Sequence, residues 1–306
     1  MKVLVGVPDG RKVAVESWGA PTGMPVFLLH GTPGSRNGPR PRASVLYRLG
    51  IRLISYDRPG YGESDPHPNR TVSDAAVDVR AIADEFGLDG FGVVGRSGGG
   101  PHALACAALL NDRVQSAACL VGLAPADAKD LNWYAGMTDS NVEEFSTADA
   151  SPQAVRASVT PQVAQIRDNP DSSFGLLLPK LSKRDLRIVD DIAIRRILTE
   201  TYAEAVRKHE DGWIDDVVAL RRPWNFDFSG IKAPVLLWHG ADDEYSPVSH
   251  TYWLKGQIPS AAVQVQPDTA HFGAVEVLPT VLAWIKDTRK SEGLRIQSPH
   301  KPALLP

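Results

Sequence analysis

The chain has 306 residues, 43% hydrophobic and 23% charged, an ordinary globular composition with room for one large α/β domain and an insertion. Its net charge of −3, from 33 basic and 36 acidic residues, gives no reason to expect nucleic acid or a membrane surface as partner. No apolar run approaches the roughly 20 residues of a membrane span. The N-terminal stretch reads as a strand and not a signal peptide. The two cysteines, Cys106 and Cys119, read as small buried hydrophobes of a reduced, cytoplasmic protein.

Residues 2–7 and 12–18 run apolar or alternate about Pro8-Asp9-Gly10-Arg11, which predicts a β-hairpin. Pro25 to His30 predicts a buried strand, followed by the loop Gly31-Thr32-Pro33-Gly34-Ser35. A helix is expected over 42–49, a strand over 51–56 and a glycine-rich loop over 57–64. Thr71 and Asp74 have capping-box spacing, ahead of a helix with apolar Val72, Ala75, Val79, Ile82 and Phe86. A buried strand from Phe91, a helix over 103–110 and a strand over 116–121 come next. This alternation predicts a doubly wound, mostly parallel sheet with right-handed crossovers. From 123 to about 225 no strand pattern occurs, and helical periodicity takes over, clearest from Leu186 to Val206. Strands return at 233–238 and 262–265, with helices near 248–256 and 274–289. The expected organisation is an α/β core over 1–122 and 231–290, a helical insertion over 123–230 and a tail over 291–306.

Where the strand from Phe91 gives way to a helix, the chain reads Gly95-Arg96-Ser97-Gly98-Gly99, a G-x-S-x-G. On so tight a strand-to-helix turn a serine is strained, with its hydroxyl pushed out at the sheet edge, and the flanking glycines avoid clashes. The pentapeptide alone arises by chance in about one chain in ten of this length. It is also what a glycine-rich phosphate cradle looks like. The rest of the chain must decide.

A nucleophilic Ser97 needs a base, and the base needs an orienting acid. On such a sheet they follow in the order Ser, acid, His, each on a loop after a later strand. The strand at 233–238 runs into Asp242, Asp243 and Glu244, any one of which fits the acid. Of the histidines beyond them, His250 opens a helix as a solvated first-turn residue, and His300 lies in the tail. His271 stands between the last strand and the last helix, where the base belongs. The oxyanion requires two backbone N–H groups, expected from Gly98 and from Thr32 in the loop after the strand at 25–30. His102 and Arg58 read as structural. No Cys/His cluster has zinc spacing, and no metal or cofactor is called for.

Five motifs together resemble the α/β-hydrolase superfamily: His30-Gly-x-Pro-Gly34, Asp57-Arg-Pro-Gly-Tyr-Gly-x-Ser64, Gly95-x-Ser97-x-Gly99, Gly240-x-x-Asp243-x-x-x-Pro247 and His271-Phe272. The resemblance covers roughly residues 2–289. It implies that Asp243, by its spacing from Gly240 and Pro247, is the acid. It also implies that the 123–230 interruption is the helical cap this family inserts after its sixth strand.

Serine at the elbow argues against dehalogenase or epoxide hydrolase chemistry, which needs a carboxylate nucleophile. Arg96 either orients an anionic substrate or turns away to pair with an acidic neighbour, the ordinary fate of an exposed arginine. Gly98-Gly99-Gly100 either leaves room for a bulky acyl group or permits close helix packing. Aromatic residues of the cap, Trp133, Tyr134, Phe145, Phe174, Tyr202, Trp213 and Trp224, supply either pocket wall or core. The expected activity is hydrolysis of a carboxylic ester or related acyl small molecule by a Ser97–His271–Asp243 triad. C–C bond hydrolase, iminopeptidase, lactonase and cofactor-free oxygenase or perhydrolase chemistry share that triad. A small-molecule receptor on the same scaffold would keep every one of these residues. Oligomeric state leaves no mark in the sequence.

Overall fold

The computed structural model describes residues 2–173, 175 and 181–288. Eight strands form one sheet: β1 (Lys2–Gly6), β2 (Lys12–Gly19), β3 (Met24–Leu29), β4 (Ile51–Tyr56), β5 (Phe91–Arg96), β6 (Val114–Leu120), β7 (Val235–Gly240) and β8 (Ala262–Gln266). Their order is β1-β2-β4-β3-β5-β6-β7-β8. β1 and β2 pair antiparallel as the expected hairpin, and β2 is antiparallel to β4. Every other pairing is parallel, from β4–β3 to β7–β8. The apolar runs fill the middle of the sheet, because parallel strands are covered on both faces.

Alternation along β3 shows the two layers. Phe27 and Leu29 face one side with Ile54, Phe91 and Val93, and pack on Val79, Ile82 and Leu104 of the helices Ala75–Glu85 and Gly99–Leu109. Val26 and Leu28 face the other side with Leu53 and Val94, under Leu46, Val281 and Ile285 of Ala43–Leu49 and Leu278–Asp287. Cys106 and Cys119 are buried and unpaired, as small hydrophobes.

Between β6 and β7 the described residues form no strand. They include the helices Asp139–Ala150, Pro152–Asp168, Lys183–Val189, Ile192–Ala205 and Asp211–Leu220. Ile188, Val189, Leu198 and Tyr202 of this insertion pack on Phe272, which follows β8 in the core. The insertion therefore rests on the loop that carries His271.

Several boundaries differ from expectation for local reasons. The helix after β5 begins at Gly99, not 103, because Pro101 in its first turn needs no N–H partner. The capping box at Thr71 is formed, but it opens one 3-10 turn, Val72–Asp74, before the α-helix. The single helix expected near 274–289 is two, Gly273–Glu276 and Leu278–Asp287, broken where Pro279 enters the first turn of the second. His250 is not solvated. It is fully buried, with Nδ1 accepting from Ala124 N at 3.0 Å and Nε2 3.0 Å from Trp133 O. The expected tail over 291–306 and Phe174 lie outside the described residues. No helix among the described residues is long and apolar enough to cross a membrane.

Candidate active site

β4 and β5 flank β3 on opposite sides, so the loops after β3 and β5 meet where the strand order reverses. Such a reversal opens a crevice at the strand C-terminal ends. Ser97 stands there, between β5 and the helix Gly99–Leu109, with φ at +54°. A non-glycine residue in this left-handed region costs on the order of 1–3 kcal/mol. Ser97 N donates to Leu120 O and Gly100 N donates to Ser97 O, both at 2.8 Å, and these bonds hold the turn.

The glycines around Ser97 serve close packing, not a roomy elbow. A Cβ on Gly95 would strike Gly99 O of the returning backbone. A Cβ on Gly98 would lie 2.9 Å from Thr32 Cβ and closer still to Thr32 Oγ1. Gly98 and Thr32, the two residues expected to supply oxyanion donors, thus sit side by side. Neither backbone N–H donates to a protein group among the described residues.

The loop of Thr32 is fixed from below and from the insertion. His30 Nδ1 donates to Gly31 O at 2.8 Å, and His30 Nε2 accepts from Arg58 N at 3.2 Å. Arg58 donates to His30 O and, at 2.9 Å, to Gly31 O, so it is the structural anchor expected. Arg58 is also ion-paired with Asp216 of the helix Asp211–Leu220. Asp216 accepts from Thr32 Oγ1 at 2.7 Å and from Tyr61 Oη at 2.9 Å, and pairs with Arg70 at 2.6 Å. Burial alone would raise the Asp216 carboxyl, but Arg58 and Arg70 hold it well below the usual range. His102 donates from Nδ1 to Gly98 O at 2.8 Å. Burial lowers its pKa to about 3, so it is a neutral structural group.

Asp216 escaped the sequence reading. The signal was there: it lies three residues after Trp213 and four before Leu220, on the face that helix buries. A carboxylate on a buried face needs cationic partners.

On the opposite wall, His271 Nδ1 lies 2.8 Å from Asp243 Oδ2. A carboxylate can only accept, so Nδ1 carries the proton and Nε2 is left with a lone pair. Asp243 Oδ1 accepts from Tyr245 N and Ser246 N at 2.8 and 3.0 Å. His239 Nε2 lies 3.3 Å from Asp243 Oδ2. Burial would raise the Asp243 carboxyl, but the pull of His271 and hydrogen bonds from His239 and His271 outweigh it and hold it far below the carboxylate range. Asp242 points elsewhere and pairs with Arg184 at 3.0 Å, and Glu244 is exposed. Asp185 of the insertion accepts from Phe272 N at 2.7 Å and so ties down the His271 loop.

Ser97, His271, Thr32 and Gly98 line one cavity of about 80 Å³. Ser97 Oγ makes no hydrogen bond to His271 among the described residues, and such bonds often tighten only when substrate is bound. The insertion closes the cavity with Phe145, Tyr202 and Leu220, while Trp133, Trp213 and Trp224 belong to the core. Glu144 also lines it and accepts from Trp213 Nε1; burial raises its carboxyl to about 7 despite that bond. Arg96 lines the same cavity, and the acidic neighbour expected for it is absent: its guanidinium has no carboxylate partner among the described residues.

Comparison with known proteins agrees with this architecture. A family described as "alpha/beta hydrolase fold" matches residues 24–276. A non-heme chloroperoxidase of Streptomyces lividans is 30% identical over 49% of this chain, and the match spans 55% of that protein. A bifunctional esterase/perhydrolase of Acinetobacter calcoaceticus is 26% identical over 79% of this chain and 83% of its own. The crystal structure of a bromoperoxidase from Bacillus anthracis superposes with a TM-score of 0.69 at 20% identity, covering 94% of this chain and 100% of that one. With its sheet, its crossovers and the match over residues 24–276, this chain belongs to the α/β hydrolase fold family of enzymes.

Proposed function

We propose that this chain is a serine hydrolase of carboxylic esters or related acyl compounds with a short acyl group, working without a cofactor. The observation that carries the reading is the 2.8 Å contact of His271 Nδ1 with buried Asp243, in a cavity His271 shares with Ser97. Ser97 Oγ attacks the carbonyl carbon while His271 Nε2 takes its proton. Asp243 stabilises the imidazolium that forms. The Thr32 and Gly98 amides hold the tetrahedral oxyanion. The alcohol leaves with the proton from His271, and water repeats the sequence on the acyl-enzyme. The cavity is small, about 80 Å³, which favours short acyl chains. Residues 123–230 act as the cap that closes it.

The name of the Acinetobacter relative favours a second reading of the same acyl-enzyme, in which hydrogen peroxide replaces water and the product is a peracid. A series of p-nitrophenyl esters of rising chain length, run with and without peroxide, tests both. The expected result is turnover that falls beyond short acyl groups, and fluorophosphonate labelling that disappears in Ser97→Ala. Labelling that persists in Ser97→Ala would place the nucleophile elsewhere.

A further inference from the structure

We propose that Arg96 is an anion subsite and that the natural substrate carries a carboxylate beside its scissile ester, a reading that rests on the ester hydrolysis above. Arg96 is the last residue of β5 and precedes Ser97. The residue is only 9% exposed and lines the cavity it shares with Ser97. Its guanidinium has no hydrogen-bond or ion-pair partner among the described residues, whereas the buried Arg36, Arg58 and Arg70 are each paired with a carboxylate. A guanidinium with five donors and no protein acceptor, opening on a small cavity, favours an anion there. The missing acceptor belongs on the substrate.

Position supports this. Arg96 Nη2 lies 3.8 Å from where a Cβ on Gly31 would stand, and that point is 3.4 Å from Ser97 Cβ. The cation is therefore within one small molecule's span of the nucleophile. A planar carboxylate matches the guanidinium fork and fits a cavity of about 80 Å³. Tyr202 of the insertion interacts electrostatically with Arg96 and lines the same wall. The acid that lines the cavity, Glu144, accepts from Trp213 Nε1 and makes no ion pair with Arg96. Burial lowers the pKa of Arg96, although Tyr202 acts to raise it.

The test compares esters matched in length. Hydrogen succinate and glutarate half-esters are set against butyrate and valerate esters, which places the charge on the acyl side. The acetyl ester of glycolate is set against ethyl acetate, which places it on the alcohol side. Wild type should prefer the charged member of one pair in kcat/KM by about 10- to 100-fold, the range of a charge-assisted hydrogen bond. Arg96→Met should abolish that preference and Arg96→Lys retain part of it. Ester turnover with equal rates for charged and neutral members would overturn the subsite and leave ester hydrolysis standing. Binding is read separately: butyrate, but not butyramide, should raise the melting temperature of Ser97→Ala and not of Ser97→Ala/Arg96→Met. Equal shifts from both ligands would overturn the subsite even if no ester is turned over, and absent turnover with no Ser97 labelling would overturn ester hydrolysis alone.

Discussion

Asp216 Oδ2 accepts a hydrogen bond from Thr32 Oγ1 at 2.7 Å, and the two residues are 184 positions apart. The cap thereby holds the loop that offers one of the two proposed oxyanion donors. The same carboxylate binds Arg58, which grips His30 O and Gly31 O beneath that loop. A second cap carboxylate, Asp185, holds the His271 loop through Phe272 N at 2.7 Å. The insertion is thus tied to both loops proposed to carry catalytic groups.

Thr32→Val removes the hydroxyl and keeps the backbone amide. We expect kcat to fall about tenfold with KM little changed, since small misplacements of a transition-state donor act on the chemical step. Thr32→Ser should restore most of the rate. Steady-state kinetics on a short-chain ester separates the two parameters; an unchanged kcat in Thr32→Val would show that the bond to Asp216 does not position the loop.

Asp216→Ala strands Arg58 and Arg70 in the interior. Loss of one partner of a buried ion pair costs about 3–5 kcal/mol. A large drop in denaturation midpoint is expected, well beyond that of Thr32→Val, and is measured by urea titration.

Asp243→Asn should lower kcat by about 10⁴, by leaving His271 in the wrong tautomer, while Asp242→Asn stays within about threefold. The reverse pattern would move the acid by one residue. The folded-state pKa of Asp243 is depressed, so the stability it contributes is present above its unfolded value and lost as pH falls through the folded one. The difference in melting temperature between wild type and Asp243→Asn should therefore shrink below about pH 4.

Glu144 shifts the other way, from 4.5 to about 7. Its folded pKa lies above the unfolded one, so its contribution is fully present below about pH 4.5 and is lost as pH rises through about 7. Glu144→Gln keeps an acceptor for Trp213 Nε1 and cannot ionise. It should be more stable than wild type at pH 8, on the order of 1–3 kcal/mol, and close to it at pH 4. Calorimetry at the two values checks the sign.

The sequence by itself determined the strands, the elbow and the order in which Ser97, the acid cluster and His271 follow. Those features are written in local chemistry: apolar runs for buried strands, glycines where backbones close up, and loops at strand ends. The family spacing had pointed to Asp243, and the tertiary structure adds the geometry: Asp243 meets His271 while its neighbour Asp242 turns to Arg184. The tertiary structure alone found Asp216 and Asp185, whose partners lie 184 and 87 positions away in the chain. It chose close packing over open space for the three glycines after Ser97 and buried His250, which a first-turn position had left in water. It also bears on Arg96. The sequence left it either facing a substrate or paired with an acid, and the absence of any such acid among the described residues is a property of long-range packing that no local pattern records.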